Sequence, residues 1–346
     1  MGHRLRDRKN EHKLIMNISN EQKQVLLILN KIIENVSKMT WNCMHQDCTE
    51  KSINSHLLQR NGILNLISNK NLLVEFSVNN PFEMQKNGKY SFKQKNISSA
   101  FSMPLFCDKH DSAIFQKIER GTIGFFNYET QLLFSYRAVC AEIRKKEIVV
   151  ETEQRQLNSN LLNSLLNNNF LSELNAHILM NKLGIKDLNF YKEEFERNIY
   201  HSNLELYKFK TIKYSRLDVC ISSVFSPISE EKLQNEDELL FQETPWNSVI
   251  LNVIPQSDGL YVIIGYHKDL TSPWIEHFIE SLMTEELSKQ QYNISDLLAS
   301  RVNTFTISLN AYNKIPAEKK EIFIKYWEEN WDNLSQEQFF GINLFE

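Results

Sequence analysis

Apolar residues recur at helical spacing from early in the chain. Val25, Ile28, Leu29, Ile32, Ile33 and Val36 fall on one face of a 3.6-residue repeat. Ser19 and Gln22 stand ahead of them as a capping box, which predicts a helix over 20–38. Ile53, Leu57, Leu64 and Ile67 form a second stripe, read as a helix over 52–68. NLLVEFSV at 71–78 and YSFKQ at 90–94 read as strands. Pro81, Asn87 and Gly88 mark the segment between them, 79–89, as a loop. A helix start follows at Ile114, Phe115 and Ile118. The clearest helix covers 128–148, with Leu132, Leu133, Tyr136, Val139, Cys140 and Ile143 on its core face. Residues 158–169 are Asn-rich with recurring Leu, a helix broken by turns, and 186–207 is helical again.

The pattern then changes period. YKFKTIKYS at 207–215 and LDVCISSVF at 217–225 read as strands. WNSVILNVI at 246–254 and GLYVIIGYH at 259–267 make a hairpin around Pro255, Ser257, Asp258 and Gly259. A helix over 273–288, a strand over 304–309 and a helix over 316–331 complete the reading. The fold class is α+β: a helix-rich N-terminal part with a zinc knuckle, then a mostly antiparallel sheet with flanking helices. The expected organisation is a mobile arm at 1–18, a helical zinc-binding domain at 19–205 and an α+β domain at 206–346.

Composition narrows the function classes. The 346 residues are 42% hydrophobic and 24% charged, ordinary for a globular chain long enough to bury its own core. A metal site here fixes a local piece of the fold, not the whole of it. The net charge of -4 argues against a general nucleic-acid coat protein, though not against a local basic groove. Only 9 Gly are present, and neither G-x-x-x-x-G-K nor G-x-G-x-x-G occurs. Residues 1–13 lack the apolar segment of a signal peptide, and no apolar run is long enough to span a bilayer. These features and the 5 unevenly placed cysteines point to a reducing cytoplasm, where paired cysteines read as metal ligands before disulfides.

Cys43 and Cys48 are spaced C-x4-C, and Cys107 and His110 are spaced C-x2-H. Two short-range pairs separated by a long insert are a usual way to supply the four ligands of tetrahedral zinc. Cys43, Cys48, Cys107 and His110 are therefore the candidate metal ligands, with Zn as the expected cofactor. His56 is a rival, either as a ligand or as a catalytic base, or simply a half-buried histidine of the 52–68 helix. His45 reads as exposed. Asp111 reads first as the N-cap of a helix over 112–119, and otherwise as a carboxylate orienting a ligand or acting in catalysis. Arg137 interrupts the apolar face of the 128–148 helix, where Glu119 or Glu142 could pair with it or an anion could dock. Cys140 and Cys220 read as buried thiols.

Cys43, Cys48, Ser55-His56, Phe106-Cys107-x-x-His110-Asp111, Ile118-Glu119, Gln131 and Tyr136-Arg137-Ala138 give the N-terminal third its resemblance to a family of uncharacterised bacterial proteins. That resemblance implies a metal site and a setting among accessory or phage-defence proteins. The expected function is an intracellular, zinc-stabilised binding or regulatory protein with a protein partner. The alternative is a metal-dependent, nuclease-like effector acting on nucleic acid, with His56, Asp111 and Arg137 as the catalytic candidates. No membrane role is expected.

Overall fold

The computed structural model describes residues 19–120, 123–201, 204–234, 242–331 and 333–346; the expected arm at 1–18 lies outside them. The described residues cluster into two compact units, each drawn from separate stretches of chain.

The smaller unit takes residues 19–39, 78–91 and 145–184 of those described. Its first helix, α1 (Asn20–Ser37), begins where the sequence predicts, with the Ser19–Gln22 capping box formed in both directions. It packs on α2 (Pro81–Asn87) and on the short helix Asn160–Leu165. The segment 79–89 was expected to be a loop, yet it holds α2. Asn80 caps its first turn, Pro81 sits at the first helical position and Gly88 closes it at φ 78. Proline at the start and glycine past the end are the punctuation of a helix as well as of a turn. The unit also takes the C-terminal part of α4 (Tyr128–Leu157) and the N-terminal part of α5 (Asn168–Tyr200).

The larger unit, residues 40–77, 92–144 and 185–346, contains the expected boundary at 205 within one of its stretches. Its centre is a seven-stranded sheet in the order β3-β2-β9-β6-β7-β8-β5. The strands are β2 (Leu72–Val78), β3 (Tyr90–Asn96), β5 (Tyr207–Tyr214), β6 (Val219–Phe225), β7 (Val249–Gln256), β8 (Gly259–His267) and β9 (Phe305–Ser308). The defined registers are all antiparallel. The β7–β8 hairpin turns at Ser257–Asp258 as expected, with Gln256 paired to Gly259.

Helices cover both faces of this sheet, so its central strands are apolar nearly throughout instead of alternating. Ile250, Ile254, Tyr261 and Ile263 face one core, shared with α4 and the 188–195 stretch of α5. Leu251, Val253, Val262 and Ile264 face the other, shared with α6 (Pro273–Ser281), α7 (Leu287–Ser300) and α8 (Ala317–Asn330). The helix expected over 273–288 thus stops at Ser281. Among the described residues no helix is long and apolar enough to cross a membrane.

A second, two-stranded sheet carries the functional candidates. β1 (Asn54–His56) pairs antiparallel with β4 (Ser102–Pro104), placing His56 opposite Ser102. α3 (Asp108–Glu119) follows at once. The helix expected over 52–68 is therefore a strand, then a π-helical turn at Arg60–Leu64 and one α-turn to Ile67. Leu57, Leu64 and Ile67 are buried as their spacing suggested, but Ile53 is exposed. Widely spaced apolar positions fit a strand running into a turn as well as they fit a helix.

Candidate metal centre and the polar cluster beside it

Cys43 and Cys48 sit on a tight hairpin of their own. Cys43 N–H donates to Glu50 O at 2.9 Å, Cys48 N–H donates to His45 O at 3.2 Å, and Asn42 bridges to Lys51. Met44 N–H donates to Leu105 O at 2.8 Å, which draws this turn against the segment leading to Cys107. Cys107 is the N-cap of α3, and His110 lies in its first turn, three residues on. Asp111 is thus not the cap the sequence suggested. It lies inside α3, its N–H donating to Cys107 O at 2.9 Å.

The ligand atoms of Cys43, Cys48, Cys107 and His110 all lie within 4.8 Å of one another, and among the described residues they are the one such group able to hold a metal ion. Bond lengths of about 2.3 Å to sulfur and about 2.05 Å to nitrogen in a tetrahedron require S···S near 3.8 Å and S···N near 3.6 Å. The Cys48 and Cys107 sulfurs are 3.9 Å apart, and His110 Nδ1 lies 3.3 Å from Cys107 Sγ and 3.5 Å from Cys43 Sγ. The donor set fits a tetrahedral metal.

Burial pushes the Cys43 thiol up to about 11. At Cys107 burial also pushes upward, but the His110 amide and the Cys43 and Cys48 thiols outweigh it and leave the thiol lowered. The thiolate thus forms more readily at Cys107 than at Cys43, because the helix N-terminus favours negative charge there. His45 is half-buried instead of exposed. Its ring stacks on His110, its Nδ1 bonds Gln46 O at 2.8 Å, and its Nε2 bonds the Tyr200 hydroxyl at 2.5 Å. Gln46 N–H donates to Glu196 at 3.1 Å, so the loop between the first two cysteines is fastened to α5 at two points.

His56 stands outside the metal group. Its Nε2 lies 3.0 Å from Ile97 O. A carbonyl only accepts, so Nε2 carries the proton and Nδ1 is the basic nitrogen. Burial holds its pKa below the ordinary value, opposed by the Ile97 hydrogen bond and Glu119 and helped by the Arg60 and Arg137 cations.

Arg137 reaches the same region from α4. It is buried, its guanidinium 3.9 Å above the Phe115 ring. Nη1 donates to Glu119 at 2.7 Å, one of the two pairings expected, while Nη2 lies 3.6 Å from Asp111 Oδ1. Arg137 Nε and Nη2, Asp111 Oδ1 and Ser55 Oγ are buried without a hydrogen-bond partner among the described residues. Arg137 Nη2 and Asp111 Oδ1 face each other as a loose ion pair with the Ser55 hydroxyl beside them, so the four form one polar cluster buried under α3. Arg137 and Ser55 form its floor at 1% exposure, and Asp111 and Glu119 form its rim at 23% and 35%. Burial raises the Asp111 pKa against the lowering pull of Arg137 and of the Ser55 hydroxyl.

The sequence gives no role to Ser55. Its place beside His56 is no signal of a shared site, since neighbours on a strand face opposite ways. Cys140 and Cys220 are buried free thiols, as expected. No family model matches the chain, and no curated protein and no solved structure matches it.

Proposed function

We propose that the metal is zinc in a structural role, and that the protein is a nucleic-acid-directed phosphodiesterase of the metal-finger kind. The supporting observation is the buried Arg137 beside Asp111, with His56 on the neighbouring strand near enough to feel their charges. Zinc with three thiolates and an imidazole is saturated, so it clamps the 43–48 turn to the start of α3 and offers no open position. The cluster beside it does the chemistry.

His56 is neutral at pH 7, because its pKa lies below the ordinary value. Its Nδ1 takes a proton from water as the water oxygen bonds phosphorus; the bond from phosphorus to the leaving sugar oxygen breaks, and that oxygen takes a proton from solvent. The Nε/Nη2 edge of Arg137 has the geometry that binds phosphoryl oxygens bidentately, and a phosphoryl group would have to displace Asp111 from Nη2 to reach it. Counting Arg137 against Asp111 and Glu119 leaves the cluster at -1. A hard divalent cation on the orphaned Asp111 oxygen would reverse that sign and favour a phosphodiester; such ions commonly use one or two carboxylates plus substrate phosphates.

A second reading, a zinc-stabilised binding or regulatory protein, is favoured by the saturated donor set. Metal analysis and a cleavage assay separate the two. The first reading expects one tight zinc per chain, an exchangeable Mg2+ or Mn2+, and cleavage of labelled DNA or RNA that His56→Ala abolishes without loss of zinc. One tight zinc and no cleavage under any divalent ion selects the second.

A further inference from the structure

Behind His56 lies a cleft of about 280 Å³, lined by Arg60, Asn61, Asn65, Asn71, Asn96 and Ser98. It adjoins the cluster, because Ile97 also lines it and the Ile97 carbonyl holds His56. Its walls are built with unusual backbone. Arg60 and Asn61 belong to the π-helical turn and Asn65 caps it, and such turns occur often at functional sites. Lys70 and Asn71 hold consecutive left-handed conformations at φ 52 and 60. Asn71 O accepts from Ile97 N–H at 2.9 Å, which ties two walls together.

The lining selects a ligand. Four asparagines and one serine line it; the Asn61 and Asn96 amide oxygens already accept from Arg60 Nε and Ser98 N–H, leaving the Asn65 and Asn71 amides and the amide N–H groups for a ligand. Arg60 is the only charged group, so the cleft is locally positive although the chain carries -4. An apolar ligand gains nothing here. An acidic peptide would use Arg60 and meet the amides only through its main chain. A nucleotide uses both, since amides read base edges and guanidinium reads phosphate. The volume, near the lower end of ligand pockets at about 300 Å³, holds one such unit. We infer that this cleft binds a single nucleotide of the substrate strand, its base among the asparagine amides and its phosphate on Arg60, next to the bond that His56 serves.

The inference rests on the phosphodiesterase reading, and the test keeps the two apart. Full-length, zinc-loaded His56→Ala is titrated calorimetrically with 5′-mononucleotides and with inorganic phosphate. Arg60→Ala and Asn65→Ala, both at exposed positions, are titrated in the same background and assayed for oligonucleotide cleavage with His56 restored. Expected are mononucleotide binding, weakening of about tenfold or more in each variant, and a KM raised to match with kcat within about twofold. Mononucleotide binding that is lost in the variants, with no cleavage by any form, supports the cleft and overturns the phosphodiesterase. Cleavage with unchanged KM in the variants overturns the cleft and leaves the phosphodiesterase standing. Phosphate binding as tight as any mononucleotide overturns the base-reading role.

Discussion

The imidazole of His45 lies flat against that of His110, ring centroids 4.0 Å apart and 15° from parallel. His45 is in turn held by the Tyr200 hydroxyl. A metal ligand covered in this way must be uncovered before a chelator reaches it. His45→Ala and Tyr200→Phe should therefore release zinc to a colorimetric chelator about tenfold faster or more, with one zinc per chain still bound at equilibrium. Identical release rates would show that the stacked ring does not guard the metal.

Removing a ligand should separate the two cysteine classes. Cys43→Ser and Cys107→Ser should lose zinc by elemental analysis and melt several degrees lower. Structural zinc contributes on the order of 10 kcal/mol in isolated peptides, whereas a metal at this site would hold only a local clamp. Hydrogen exchange should rise in 41–57 and 101–111 while β7 and β8 stay protected. Cys140→Ser and Cys220→Ser should keep their zinc. The assignment falls if all four variants bind metal alike.

The Arg137–Glu119 pair should be costly to break from the buried side. Arg137→Met leaves Asp111 and Glu119 without their cation, and breaking buried pairs costs about 3–5 kcal/mol; the exposure of Glu119 places this one at the lower end. Glu119→Gln keeps an acceptor for Nη1 and should cost about 1 kcal/mol. Arg137→Lys should retain most stability and lose activity, because an ammonium has no bidentate edge. Full activity in Arg137→Lys would remove Arg137 from the proposed chemistry.

Acid should weaken the fold through its buried histidines. His56 and His267 are both held below the ordinary 6.5, chiefly by burial. A base with a depressed native pKa binds more protons when unfolded, so stability rises with pH. The contribution is complete above 6.5 and is lost as pH falls through 6.5 towards the native values. His267→Asn retains an acceptor for the Asp269 N–H that bonds His267 Nδ1. Melting curves from pH 8 to 5 should fall less steeply for it than for the parent, while metal release affects both proteins equally. Parallel curves would refute the role of His267.

Local chemistry decided what the sequence could reveal. The Ser19–Gln22 box and the β7–β8 hairpin are short-range signals and were legible. So were the two ligand pairs, because each lies within six residues. The helix at Pro81–Asn87 was misread because Pro81 and Gly88 punctuate turns and helices alike. The 52–68 segment was misread because its apolar spacing serves either structure. Asp111 was read as a cap from residue preference, while the backbone used Cys107. The Ser55–Asp111–Arg137 cluster joins residues scattered over more than eighty positions, and no local period encodes such a meeting.

The insert between β1 and β4 has a consequence for how the protein is made. It contains β2, and β2 is zipped to β9 with Leu73 opposite Ser308. Pairings this distant in sequence are slow to form, because a long loop must close before any contact rewards it. On the ribosome, residue 308 emerges long after His110. The strand insert can settle only then, and the hairpin at its base with it. Metal capture in final geometry therefore waits on β9, and apo-protein with an unsettled hairpin should accumulate wherever the metal is scarce.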